Sequence, residues 1–215
     1  MKKILILLFV AFCFYGNAQY SIGVGPGTFN SLNAGFTRVG LNVFYEKPRN
    51  ERNTFFLRGL ITIPVTSSTD TVLVTKTDIN VEGPTFKPVP LDRITSLISV
   101  DGGNRTYFYN TYEVGLAIYG NAHFRGMIAT YNERLGDYDE SIYQPDSEPT
   151  GRSWSLLAGF GGNLGVKYQL PYRGSLNFDI SADYIRAIVD PSFILGNEIG
   201  FLSLSLNLSY RFDWY

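Results

Sequence analysis

The stretch Ile199–Tyr215, IGFLSLSLNLSYRFDWY, decides the fold. Leu202, Leu204, Leu206, Leu208, Tyr210, Phe212 and Trp214 fall at every second position, with Ser203, Ser205, Asn207, Ser209, Arg211 and Asp213 between them. Successive strand residues point to opposite faces, so this strand has one apolar and one polar side. The edge of a soluble sandwich accommodates such a strand. An aromatic rim with a greasy outer face fits a transmembrane β-barrel better.

The same alternation recurs upstream. Tyr20, Ile22 and Val24 open it; Val39, Leu41, Val43 and Tyr45 follow; Phe55, Leu57, Ile61, Ile63 and Val65 make a third apolar face opposite Phe56, Arg58 and Thr62. A fourth strand is expected over about 106–119, with Phe108, Tyr112, Val114, Leu116 and Ile118 on one side and Glu113 on the other. A fifth carries Phe124, Gly126, Ile128 and Thr130 against His123, Arg125, Met127, Ala129 and Tyr131. A sixth sets Trp154, Leu156, Ala158, Phe160, Leu164, Val166 and Tyr168 against Gly159, Gly161, Asn163, Gly165 and Lys167. The seventh sets Leu176, Phe178, Ile180, Ala182 and Tyr184 against Asn177, Asp179, Ser181 and Asp183. With the closing stretch these make eight.

Three connections are short, 46–52, 120–122 (opened by Gly120-Asn121) and 170–174; four are as long or longer, 25–33, 66–104, 132–152 and 186–198. Short and long alternate, as in an up-and-down barrel with tight periplasmic turns and longer outside loops. The expected fold is therefore an all-β, eight-stranded antiparallel up-and-down transmembrane barrel. Residues 66–104, in which 69–83 alternates weakly enough to form its own hairpin, are the expected functional loop.

The faces opposite the apolar ones collect Arg38, Arg58, Glu113, Arg125, Lys167, Asp179, Asp183, Arg211 and Asp213. An eight-stranded barrel is just wide enough for side chains to fill. Charges enclosed there must pair. A slip of one residue would turn them all toward lipid, so this network fixes the register.

The chain has 215 residues, including 15 Tyr, 16 Phe and 22 Gly, and only 17% are charged. Lys2 and Lys3, the apolar run 4–15, and small Gly16 and Ala18 before Gln19 make residues 1–18 an expected secretory signal peptide, leaving 19–215 as the barrel domain. Cys13 is the only cysteine and goes with that leader, so the mature chain has no thiolate chemistry. Loss of two lysines shifts the formal charge from −1 to −3 (16 basic residues against 19 acidic), which excludes a basic nucleic-acid binder.

Catalytic signals are thin. His123 is the only histidine, and its place beside Arg125 on the polar face suits a hydrogen-bonded structural residue. A lipid A deacylase of the barrel type carries a serine two positions after its histidine; Arg125 stands there. Asp179 and Asp183 lie ~13 Å apart along one strand, too far for a catalytic carboxylate pair. The acids Glu133, Asp137, Asp139, Glu140, Asp146 and Glu148 match no EF-hand spacing. The GVGPGTF run at 23–29 lacks the lysine of a phosphate-binding loop. No cofactor, metal or catalytic residue is expected.

Signal peptide, eight amphipathic strands and the closing LSYRFDWY resemble the small outer-membrane barrels of Bacteroidota, the OmpA/OmpX-like and PorT-like group. The resemblance implies residence in the outer membrane, contact with its lipids, and a non-enzymatic structural or interaction role. Membership of a larger outer-membrane complex is the form of that role it adds. It also implies that Tyr210, Phe212, Trp214 and Tyr215 form the carboxy-terminal signal read by barrel-assembly machinery, with Tyr215 where proteobacterial members usually carry Phe. A small-solute pore is the alternative, and a lipid-modifying enzyme a more distant one.

Overall fold

The computed structural model describes residues 20–32, 36–76, 85–113, 115–146, 151–171, 174–189 and 200–214, the last without the Trp214 side chain. The expected signal peptide 1–18, and Val114, Glu148 and Tyr215, lie outside these. Among the described residues there are ten strands: β1 (Tyr20–Ser31), β2 (Phe36–Pro48), β3 (Asn53–Thr62), β4 (Val65–Thr75), β5 (Phe86–Tyr109), β6 (Leu116–Leu135), β7 (Tyr143–Pro145), β8 (Arg152–Leu170), β9 (Gly174–Val189) and β10 (Gly200–Trp214).

Eight of them close a ring. The order is β1-β2-β3-β5-β6-β8-β9-β10, all antiparallel, and β10 pairs back onto β1 from Tyr20↔Trp214 to Ser31↔Ser203. Closure leaves the ring no unpaired edge, the condition for a sheet to stand in lipid. The alternation in β10 decides which side is which: Leu206 is 46% exposed, while its neighbours Ser205 and Asn207 are 1% and 2% exposed. Leu57, Val100, Ile128, Leu164 and Ile180 on five other strands face outward in the same way. The ring is apolar outside and encloses the polar faces, as expected.

The eight-strand ring and most faces stand, but several boundaries move, and Val65, Tyr112 and Glu113 leave the faces expected for them. Gly120-Asn121 is no turn: Gly120 pairs with both Thr106 and Leu164 inside β6. The chain reverses at 110–115, where Asn110 and Gly115 take positive φ of 59° and 20°. Tyr112, expected on the apolar face with Phe108 and Leu116, is instead carried inward by this turn and buried, while Phe108 and Leu116 face outward; its even spacing from them conceals the reversal. β1 also passes straight through the expected connection 25–33, with Gly25↔Asn42 and Pro26↔Leu41 in its ladder to β2. Pro26 falls between Val24↔Tyr210 and Gly27↔Asn207 on the β10 side, where its missing N–H leaves no gap in a pair.

The expected loop 66–104 is mostly strand. β4 pairs with the upper half of β5 from Val65↔Thr95 to Val74↔Phe86, and β7 adds three residues beside β4. Between Ile61↔Ile98 and Val65↔Thr95 the chain takes one residue more than β5 does, a bulge at Ile63-Pro64 that moves Val65 off the face of Phe55 and Leu57. The barrel is therefore lopsided. An apolar belt ~25 Å tall needs only ~10 tilted residues, whereas β5 has 24 and β6 has 20. Their upper halves, with β4 and β7, stand beyond the belt as a wall at the end opposite the short turns.

Replacing Leu206 by Arg on the outer face at mid-strand is expected to cost about 2–4 kcal/mol. Equilibrium unfolding from lipid vesicles measures this, with Ser67→Arg on the wall as the near-neutral control.

Candidate functional site

The interior is the candidate site, and it is built in layers from the short-turn end upward. At the bottom, the 110–115 turn folds under the barrel. Tyr112 is 3% exposed; its hydroxyl meets the Ser21 hydroxyl, its carbonyl accepts from Lys167 Nζ, and the Arg211 guanidinium lies 4.4 Å over its ring. Burial pushes the Tyr112 phenol above the usual tyrosine range, which keeps its proton in place. Ser21 donates to Asp213 Oδ1 at 2.7 Å and Arg211 Nε lies 2.8 Å from the same oxygen. One turn thus ties together β1, β8 and β10, including the seam at which the ring closes.

Above it sits Glu46 with four donors: Thr54 Oγ1 at 2.6 Å, Tyr107 hydroxyl at 3.0 Å, Arg105 Nη1 at 3.0 Å and Arg211 Nη1 at 3.3 Å. Arg105 lies 4.0 Å over the Tyr119 ring and reaches Asp179 at 3.5 Å. Asp179 Oδ1 also accepts from the Tyr119 hydroxyl at 2.9 Å and Asn163 Nδ2 at 2.7 Å.

The next layer alternates in sign around the wall. Arg58, Asp101 and Arg125 are direct cross-strand neighbours on β3, β5 and β6. Arg58 Nη2 is 2.8 Å from Asp101, and Arg125 spans from Asp101 at 3.5 Å to Asp183 at 2.7 Å. His123 Nε2 donates to Asp183 Oδ1 at 2.6 Å, and its ring meets Phe56 edge-on. Two glycines of β8 make these contacts possible. Gly161 lies between His123 and Asp183 in the ladder, and a Cβ there would come 2.3 Å from Asp183 Oδ1. Gly165 lies between Tyr119 and Asp179, and its Cβ would fall 2.3 Å from the Tyr119 ring. Each missing side chain is the window through which a β6 residue reaches a β9 carboxylate.

The top layer is apolar. Phe29, Leu60, Met127, Leu157, Ile185 and Phe201 are buried together, with Phe29 and Phe201 packed edge-on at 6.2 Å. The ionic layers are thus enclosed between an aromatic floor and an apolar roof.

No protein-family model matches this chain, and no curated protein does. Solved structures match it along nearly its whole length. Neisserial surface protein A (NspA) superimposes with a TM-score of 0.55 at 12% identity, covering 93% of this chain and 98% of that one. A major outer membrane protein from Thermus thermophilus gives 0.53 at 13%, covering 93% and 100%. The fold is that of the eight-stranded outer-membrane barrels.

Within this barrel, seven of the nine expected lumen charges are buried in the layers above: Arg58, Arg125, Lys167, Asp179, Asp183, Arg211 and Asp213. Arg38 points inward but is only half-buried at the upper mouth, donating to Thr95 Oγ1 at 2.6 Å beside the Phe36 ring. Glu113 is not in the lumen; it is exposed in the 110–115 turn, a direct consequence of the misplaced reversal. Glu46, Asp101 and Arg105 were hidden in segments read as a charged turn and a loop. Inward parity was their signal: Glu46 follows Asn42 and Phe44 at steps of two, and Asp101 and Arg105 flank Gly103. The buried set is then Arg58, Arg105, Arg125, Lys167 and Arg211 against Glu46, Asp101, Asp179, Asp183 and Asp213, five of each sign. Of the expected assembly residues, Tyr210 and Phe212 meet edge-to-face with ring centres 4.6 Å apart on the outer side of β10, and Trp214 ends that strand opposite Tyr20.

Asp101→Ala leaves two buried guanidiniums without this partner and is expected to destabilise the barrel by about 3–5 kcal/mol. Adding Arg58→Met should recover part of that loss in a double-mutant cycle of unfolding free energies. Gly161→Val is expected to cost about 1–3 kcal/mol by overpacking, and to part His123 from Asp183, which the imidazole NMR resonances report.

Proposed function

We propose that this protein is a non-enzymatic outer-membrane barrel that works through its surface, presenting the wall of β4, β5, β6 and β7 to a partner outside the cell. The observation that carries the reading is the closure of the lumen at three levels, the Tyr112 floor, the neutral ionic layers and the Phe29–Phe201 roof. A cylinder so filled with side chains supports a sealed lumen over the small-solute pore. His123 is enclosed between Phe56 and Asp183 with no exposed side-chain surface, which suits a structural role and not attack on a lipid.

The wall has its own support. Leu73, Val89 and Tyr143 pack together on its inner side, Lys87 lies 5.5 Å over the Tyr143 ring, and Arg93 pairs with Glu133. A braced sheet is a better display surface than a free loop. Grouping with the OmpA/OmpX-like and PorT-like barrels of Bacteroidota, recognition of the β10 terminus by assembly machinery, and membership of an outer-membrane complex belong to the same reading. The loop rhythm and the aromatic closing strand support them.

Purified protein in planar bilayers is expected to show no steady conductance. Channels of uniform size would overturn the sealed-lumen reading. Pull-down in gentle detergent with the wild type and with a Ser67→Arg/Thr69→Arg wall variant is expected to lose the partner only for the variant.

A further inference from the structure

On the outer face of β6 and β8 three cross-strand pairs climb toward the wall: Ile128↔Leu156, then Thr130↔Trp154, then Asn132↔Arg152. Both members of each pair sit at outward positions, and Trp154 is 55% exposed. Between them runs a groove of about 530 Å³, lined by Ile128, Thr130, Arg152, Ser153 and Trp154. Rows two residues apart are separated by ~6.6 Å. Within ~13 Å the surface therefore passes from aliphatic, through an aromatic ring beside a hydroxyl, to a guanidinium. The Thr130 hydroxyl is itself held in place by Ser96 at 2.8 Å.

That sequence of chemistries matches one phosphorylated lipid standing in the outer leaflet. Trp is the residue of the membrane interface, so the Trp154 row marks the upper edge of the apolar belt. Arg152 stands one row higher, at headgroup height, with no ion pair among the described residues. Among the described residues, Glu133 faces the other side of the sheet and binds Arg93, and Asp92 accepts the Ser68 hydroxyl. A guanidinium left free at this height presents a planar fork that fits phosphate oxygens.

We propose that this groove is a binding site for a phosphorylated outer-leaflet lipid, with a phosphate on Arg152, the headgroup sugar against Trp154 and Thr130, and an acyl chain along Ile128 and Leu156. The site lies at the foot of the wall, so a lipid held there would brace β6 and β8 where they leave the membrane. The proposal rests on the outer-membrane reading above.

The test uses the full-length barrel in phosphatidylcholine nanodiscs, offered diphosphorylated lipid A or its dephosphorylated form, with bound lipid counted by native mass spectrometry. The heat-dependent gel shift of each variant is scored first; its absence in the wild type would count against the membrane reading, not against this site. Wild type is expected to retain the phosphorylated form preferentially. Arg152→Gln should lower that retention about tenfold without changing the dephosphorylated form. Trp154→Ala should lower both, and Lys47→Gln at the opposite rim should lower neither. Excess inorganic phosphate should release no lipid. Arg152→Lys, which keeps the charge and loses the fork, should fall between wild type and Gln, and answers the question if the Gln variant does not insert. Equal retention by wild type and the Arg152 variants, indifference to the lipid's phosphates, or release by inorganic phosphate would each overturn the site.

Discussion

Charges shut inside a closed cylinder surrounded by lipid have nowhere else to find a partner, and most features of this barrel follow from that constraint. Among the described residues, five basic and five acidic side chains are buried in the interior. Each would be costly alone, since a buried unpaired ion loses its hydration without compensation. The layers show how neutrality is reached locally as well as in total. Glu46 is shared by Arg105 and Arg211, Asp101 by Arg58 and Arg125, and Asp183 by Arg125 and His123. Because these carboxylates each serve more than one donor, the network spans β2, β3, β5, β6, β9 and β10 and fixes their register together.

Such sharing demands reach across the lumen, and side-chain size on β8 sets that reach. Its inward face carries Gly161 and Gly165 where β6 carries His123 and Tyr119 and β9 carries Asp183 and Asp179. Small residues on one strand let long ones on its two neighbours meet, so packing and electrostatics are solved by the same substitution pattern. The ends are treated differently. The polar layers give way to Phe29, Leu60, Leu157 and Phe201 above, whereas below they are interleaved with Tyr107, Tyr112 and Tyr119. Burial of the ion pairs between these residues strengthens them, because the local dielectric is lower than in water.

Legibility in the sequence tracked this physics unevenly. β10 was fully legible because both of its faces obey one rule along its length. So were the inward and outward sets of β6, β8 and β9. The reversal at 110–115 was not: Tyr112 shares the parity of Phe108 and Leu116 and reads as outer face, whereas the turn carries it inward to close the floor. β1 was cut short because Gly25 and Pro26 are turn residues by propensity, overridden here by their pairing with Asn42 and Leu41 of β2. Glu46 and Asp101 were missed for one reason: charge next to a turn or within a long connection looks solvated until its parity is compared with the adjoining strand. The apolar roof left the clearest unused trace. Phe201, Leu157 and Ile185 all sit at inward parity where serines and charges occupy the rest of that face.

The height difference between the two sides of the barrel bears on how it acts. β1 and β2 stay paired to Ser31↔Phe36, leaving only residues 32–35 between them, while β5 and β6 run far past that level. A conduit has no use for a wall on one side, because a solute enters along the axis. A contact surface does, because a sheet held upright on a rigid base presents two faces and an edge at fixed orientation. β4 supplies that edge: it pairs with β7 only from Leu73 to Thr75, and the stretch from Val65 to Val72 has no strand beside it on that side among the described residues. The sequence there, VTSSTDTV, is short-chained and polar with a single charge at Asp70. A wholly apolar edge would pair without discrimination. This one keeps the backbone of the edge available while its side chains stay soluble.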